Sequence, residues 1–394
     1  MTPDIAAIQA ALREDGLDGW LWYDFQGNNP IARRLAGLEG SGKMTTRRWY
    51  YLVPASGEPR KLVHAIERHN LDHLPGTTRT YARRETLSAG LDALLAGCRR
   101  VAMEYSPGCG IPYLSRVDAG TLDAVRERGV EVICSGDLAQ RFEARWSAQA
   151  YDTHKAASAA LYRIKDRAFD EVRRRLRDGV ATTELDIQRL MLRWFDEEGL
   201  VADSTPNVSA QENAGDPHYH PSEDHFRPIN PGEVLLLDLW GKLAAPGAVY
   251  ADIAWVAFTG AAVPAEVTRA FDTAARARDT AVAAVQRAVR AGEELRGWQV
   301  DRAARDVLEA AGYGPEIWHR TGHSLGETVH GNGVHMDDYE THDDRRLLPG
   351  TAFTIEPGLY FASFGVRTEI NVFVTEGDAL VTGPSQDHVL PLAG

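Results

Sequence analysis

Four acids stand where the surrounding residues are apolar. Asp238 interrupts Leu235-Leu236-Leu237 and Leu239-Trp240, and Asp252 lies between Ala251 and Ile253. Glu356 follows Phe353-Thr354-Ile355, and Glu369 comes two residues after Arg367. Acids are depleted in strands, and a lone buried carboxylate costs several kcal/mol unless it is paired or bound to metal. Arg367 can neutralise one of them, but one guanidinium cannot satisfy four carboxylates. A pair of divalent cations can. The stretch "HRTGHSLGETVH" at 319–330 supplies an imidazole, and Gly322 and Gly326 flank His323 with the backbone freedom that a crowded site requires. Oxygen-rich ligation with one imidazole suits hard or borderline metals, and two metals held about 3.5–4 Å apart by carboxylates are a recurrent device for hydrolysis.

The elements that carry these residues are legible in outline. Up to residue 147, short apolar runs such as "GWLWY", "WYYLV" and "RRVAMEY" alternate with helical stretches such as "RETLSAGLDALLAG". This pattern predicts a small α/β domain over 1–147. In "THKAASAALYRIKDRAFDEVRRRLRDG" the apolar face Leu161, Ile164, Ala168, Val172 and Leu176 predicts a helix ending at Gly179. A second helix follows Thr182 or Thr183 and ends at Gly199. "EVLLLDLWG" at 233–241 reads as a buried strand, and helical segments cover roughly 264–291 and 297–311. "TAFTIEPGLYF" and "GVRTEINVFVT" are strand-like, so 148–394 is expected to be an α+β domain.

With 394 residues, two domains are the first expectation, and the net charge of -13 argues against nucleic acid as a partner. Basic runs such as "VRRRLRD" carry acids on either side. The start shows no secretory signal and no stretch approaches a membrane span, which predicts a cytoplasmic protein without a membrane partner. Cys98, Cys109 and Cys134 form no metal-binding spacing and read as free, mostly buried thiols. His64, His69, His73 and His154 read as surface residues, and His335 as a structural residue or one near the pocket.

"LLLDLWG", "YADIAW", "HRTGHSLGETVH", "TIEPGLY" and "GVRTEINVFVT" occur in the order of the pita-bread metallopeptidases. The chain resembles an Xaa-Pro dipeptidase or aminopeptidase P with a creatinase-like N-terminal domain. The resemblance implies that Asp238 holds one metal, that Asp252 and Glu369 bridge both, and that His323 and Glu356 hold the second. Two divalent ions follow, manganese ahead of cobalt or zinc. It further implies that His330 contacts substrate or intermediate and that His319 lines the substrate pocket. His218 in "DPHYHP", favoured over His220 and His225 because Tyr219 follows it, is expected among the catalytic side chains, with Tyr219 on the pocket wall. Glu356 is expected to shuttle a proton, and Arg367 to orient Glu369. Ser324 and Gly331 depart from the family's usual glycine and glutamate.

The implied activity is hydrolysis of the bond before proline in Xaa-Pro dipeptides or short peptides, by a homodimer. Alternatives are an aminopeptidase P acting on longer peptides and a creatinase-like hydrolase of a small non-peptide C–N bond. A non-catalytic binding protein is disfavoured because every ligand position is retained.

Overall fold

A computed structural model describes residues 3–393, and the chain divides into two units, Met1–Glu143 and Ala144–Gly394. The first unit is built on a six-stranded sheet. Its strand order is Thr77–Tyr81, Arg60–His64, Trp49–Pro54, Gly19–Asp24, Arg100–Met103 and Glu131–Cys134. Side-chain alternation gives this sheet two apolar faces. Trp20 and Trp22 pack with Ile8, Leu12 and Leu138 on one side, while Leu21 and Tyr23 pack near Leu87, Leu91 and Val125 on the other. Helices therefore cover both faces, as expected of an α/β domain.

Inside this unit Glu104 is fully buried and accepts hydrogen bonds from Trp20 Nε1 (2.7 Å), Asn29 Nδ2 (2.7 Å) and Ser135 Oγ (3.1 Å). Burial outweighs these donors and pushes its carboxyl up to about 7. The folded chain thus holds a proton at Glu104 that the unfolded chain releases near pH 4.5. Its contribution to stability should be fully present below that pH and be lost as pH rises through about 7, by about 3 kcal/mol. Urea unfolding followed from pH 5 to 8 should show this fall in the native chain and a flatter profile in Glu104→Gln. Parallel profiles would refute the assignment.

The second unit opens with the helix Ala148–Arg177, capped by Ser147, and the helix Glu184–Glu198. In the latter, Thr183 and Asp186 form a reciprocal capping box and Gly199 ends the helix at φ 68°. Both helices lie on a sheet whose central strands are Val234–Leu243 and Ala251–Phe258. Leu235, Leu237, Leu239 and Ile253 face these helices. Leu236 and Val256, of opposite parity, join a second core with Phe353, Ile355 and Val372 and with the helices Ala265–Ala291 and Gly297–Ala310. A strand buried on both faces explains the unbroken leucine run, and parity puts Asp238 and Asp252 on the side away from the first helix pair. Among the described residues no helix is long and apolar enough to cross a membrane.

Three expectations need correction. "TAFTIEPGLYF" and "GVRTEINVFVT" are not continuous strands. The first breaks between Ala352–Ile355 and Gly358–Tyr360, and the second between Gly365–Arg367 and Ile370–Val374. Pro357 lacks the N–H that a continuous ladder needs, and each break holds a site glutamate. His154 is buried rather than on the surface, with its ring nitrogens bonded to the Tyr250 carbonyl (2.8 Å) and Thr382 Oγ1 (2.6 Å). The helix that carries it packs directly on the sheet. None of the three free thiols is fully buried: Cys109 is exposed and Cys98 and Cys134 are half-buried.

Candidate metal centre

Two sheets place the acids. In the antiparallel pair Val234–Leu243 and Ala251–Phe258, Asp238 faces Ala254 and Asp252 faces Trp240, so the two aspartates are diagonal neighbours on one face. In the second sheet Ile355 faces Ile370. Carried one step further, that register sets Glu356 opposite Glu369. The sheets meet where the Glu369 N–H donates to the Ala254 carbonyl (3.4 Å) and the Asp252 N–H to Asn371 Oδ1 (3.1 Å). The breaks that end the strands thus free both glutamates to turn toward the aspartates.

His323 enters from a third segment. Its N–H donates to Thr354 Oγ1 (2.9 Å), and its Nε2 lies 3.5 Å from Asp252 Oδ2 and 3.4 Å from Glu356 Oε1. Nδ1 faces the Ser324 carbonyl at 3.2 Å, a tautomer that leaves Nε2 available to a ligand. Gly322 is needed for this approach, because a Cβ there would lie 2.0 Å from the Thr354 carbonyl oxygen. Gly326 is under no such demand, its nearest atom being 3.6 Å away.

Asp252, His323 and Glu369 are all buried, and each offers a ligand atom within 4.8 Å of the others. Asp252 Oδ1 and Glu369 Oε1 have no hydrogen-bond partner. Burial, reinforced by neighbouring carboxylates, holds the Asp252 carboxyl up at about 7 and Glu369 well above the usual carboxylate range. Burial opposes charge on His323, but Asp252 and Glu356 outweigh it and raise its pKa. Orphaned buried oxygens beside an available imidazole nitrogen fit a divalent cation. Among the described residues Arg367 pairs with Asp238, and one imidazole, His323, lies against Asp252 and Glu356, so the four carboxylates outnumber the cationic groups beside them.

Contrary to the expectation from sequence, Arg367 does not bond Glu369. Its guanidinium donates to Asp238 and to the Tyr360 hydroxyl (3.0 Å). The strand break at Thr368 turns Arg367 and Glu369 apart, and Gly358 opposite Arg367 brings Tyr360 within reach. His319 Nδ1 meets the Arg320 carbonyl (2.6 Å) and must carry the proton there, so Nε2 accepts from Tyr360 (2.7 Å). His319 therefore steadies Tyr360 and Arg367 in addition to any role in a pocket wall. Tyr360 itself was not anticipated, although it lies within the motif "TIEPGLY".

His330 is exposed, with its ring 4.3 Å from that of His323 and nearly perpendicular to it. His218 is also exposed and contributes to the electrostatic surroundings of His330. His220 packs edge-on against Trp240, 6.0 Å away, and feels the Asp238 carboxylate. Tyr219 is not a pocket wall: it is buried and gives its hydroxyl to Glu184 (2.5 Å). Glu184, missed by sequence reading because it looks like an ordinary first-turn acid, also accepts from the N–H groups of Ala210 (2.7 Å) and Arg227 (2.9 Å). It thus pins both flanks of the loop bearing His218 and His220. His335 is structural, its Nδ1 accepting from the Ser324 N–H at 3.0 Å. Ser324 Oγ accepts from the Gly333 N–H (3.0 Å), and a Cβ at Gly331 would lie 3.0 Å from that same oxygen. The two departures from the family pattern are therefore a matched pair.

Two meeting sheets converge acids and one histidine on a buried point that could hold a metal ion. Comparison with known proteins gives the class. Residues 157–376 match metallopeptidase family M24, and the chain belongs to that family. It is 30% identical over 268 residues to "Probable dipeptidase PepE" of Mycobacterium tuberculosis, covering 67% of this chain and 66% of that protein. It is 29% identical over 229 residues to the "Xaa-Pro dipeptidase" of Lactobacillus helveticus, covering 57% and 56%. The chain thus matches about two thirds of the length of the first of these relatives. Dipeptidase PepE from Mycobacterium ulcerans superposes with a TM-score of 0.69 at 26% identity over 99% of this chain and 97% of that one. A prolidase from Thermococcus sibiricus gives 0.61 at 20% identity, a likeness of fold alone. The catalytic unit has the pita-bread fold, preceded by the smaller α/β unit.

Proposed function

We propose that the protein is a dinuclear metal-dependent peptidase that cleaves the bond before proline in Xaa-Pro dipeptides or short peptides. The observation that carries this reading is the pair of unpartnered, buried oxygens Asp252 Oδ1 and Glu369 Oε1 beside His323. Asp238, Asp252, His323, Glu356 and Glu369 would hold the two cations, with manganese favoured. Bound there, such ions supply Lewis acidity and a nucleophile available near neutral pH.

The chain's own residues do the rest. Arg367 offsets part of the cost of burying Asp238, whose carboxyl burial still holds above its usual range, and the Tyr360–His319 pair fixes the guanidinium so that no reorganisation is needed during turnover. Glu356 Oε1, held by Thr354 Oγ1 at 3.0 Å, is placed to take a proton from the attacking group and return it to the leaving nitrogen. His330 reaches the mouth of the site and donates a hydrogen bond to the tetrahedral oxyanion. The bond before proline offers no N–H, so specificity rests on an apolar wall against the ring. Half-buried Trp240, anchored by Nε1 to Asp203 Oδ1 at 2.7 Å, is the candidate.

Assaying Xaa-Pro dipeptides beside Xaa-Pro tripeptides and their Xaa-Ala counterparts tests the substrate class. Cleavage of an Xaa-Pro dipeptide in preference to Xaa-Ala is expected. Turnover of Xaa-Ala alone would overturn the proline assignment, and turnover of tripeptides alone would favour an aminopeptidase.

A further inference from the structure

The first unit contains a cationic cavity that the peptidase reading does not use. It has a volume of about 640 Å³, within the range of small-molecule sites. Its walls include Arg47, Arg48, Arg83, Arg84 and Arg116, against the single carboxylate of Asp118. Asp118 is already engaged, accepting from the Tyr23 hydroxyl (2.8 Å) and from the N–H (2.9 Å) and Oγ1 (2.8 Å) of Thr121. The nearby Glu67 is likewise taken, by Thr46 and the Arg47 N–H. Among the described residues none of the five arginines forms an ion pair. Arg47 donates to Thr46, and Arg116 to the Tyr113 carbonyl. Five guanidinium groups on exposed residues converge on one open cleft in a chain of net charge -13, a local concentration of positive charge that would draw an anion to this edge.

The location is also that of a ligand site. Strands Gly19–Asp24, Arg60–His64 and Thr77–Tyr81 all end at this edge, where Tyr23, His64 and Tyr81 line the cavity. Crevices at the carboxyl ends of strands in open α/β sheets are where such folds bind ligands. The eleven-residue helix Arg84–Leu94 begins here, so its positive end points the same way. Arginine forks match phosphate oxygens two at a time. Phe25, 37% exposed, and the edge-packed His64–Tyr81 pair (5.0 Å) supply aromatic surface for a planar group. We propose that this cavity binds an organic polyphosphate of nucleotide size, its phosphates on the arginines and its ring against the aromatic wall.

Calorimetric titration of the purified full-length chain with ATP, pyrophosphate, adenosine and citrate tests this. ATP should bind saturably and more tightly than pyrophosphate, more weakly as salt rises, with adenosine and citrate not binding. Arg83→Gln and Arg116→Gln, each checked for an unchanged melting temperature, should weaken ATP by about tenfold apiece, since each removes a charge-assisted bond. Asp252→Asn, which alters the metal centre, should bind ATP like the native chain. Absence of saturable ATP binding, affinity unchanged in both arginine variants, or binding lost in Asp252→Asn would overturn the site. Equal affinity for pyrophosphate would overturn the role of the ring, and equal affinity for citrate the preference for phosphate.

Discussion

His323→Ala should strip the metal centre, whereas His330→Ala should spare the metal and lose turnover. His323 is buried and its Nε2 sits between Asp252 Oδ2 (3.5 Å) and Glu356 Oε1 (3.4 Å), so on the proposed reading removing it deletes a ligand and leaves carboxylates facing one another. Metal affinity should fall by more than about 100-fold, exceeding the loss from removing a residue that only orients a ligand. His330 lies beside His323 with its ring nearly perpendicular to it, but it is exposed, whereas His323 is buried against Asp252 and Glu356. Its loss should lower kcat by about 10²–10³-fold, the usual cost of removing one oxyanion donor, with metal content unchanged. Elemental analysis alongside kinetics checks both variants. Equal loss of metal in the two would reject this division of roles.

The acids of the candidate site were largely visible in the chain itself, because burial makes acids conspicuous, whereas the separate roles of His323 and His330 came only from the family resemblance. Asp238 and Asp252 interrupt apolar runs, and strand parity then places them on one face. What could not be read was the interruption of the later strands. "TIEP" and "RTEI" look like uniform strands until pairing shows that the glutamates occupy the gaps. The partner of Arg367 was misjudged for the same reason, since parity along an assumed continuous strand pointed it at Glu369. Tyr219 was misread because Glu184, whose carboxylate claims its hydroxyl, is thirty-five residues away and gives no local sign. His154 failed similarly: a histidine on a helix that looks solvated is buried by contacts 96 and 228 residues distant. Local pattern reveals which side chains need an explanation, whereas tertiary pairing decides what satisfies them.

Gly322→Ala should be far more damaging than Gly326→Ala, although both glycines flank His323. The added methyl at 322 would sit 2.0 Å from the Thr354 carbonyl oxygen, which is backbone and cannot rotate away. Relief requires moving the segment that also bonds Met336 through both its N–H (3.2 Å) and its carbonyl (3.0 Å). A loss of at least about 3 kcal/mol in stability is expected, at the upper end of the range for overpacking. Any folded fraction should lose about 10²-fold in kcat from displacement of His323. At Gly326 the nearest atom is 3.6 Å away, so alanine should leave melting temperature and turnover close to native. Thermal unfolding and steady-state kinetics on the two variants distinguish these outcomes, and similar behaviour of both would show that close approach at 322 is not what places the imidazole.

The central claim, a two-metal peptidase centre, is tested most directly by counting metal in the purified chain and following activity as it is removed and restored. Two divalent ions per chain are predicted, with Xaa-Pro hydrolysis lost on chelation and recovered as manganese is returned to that stoichiometry. Hydrolysis that survives complete removal of metal, or that is fully restored by a single ion per chain, would contradict it.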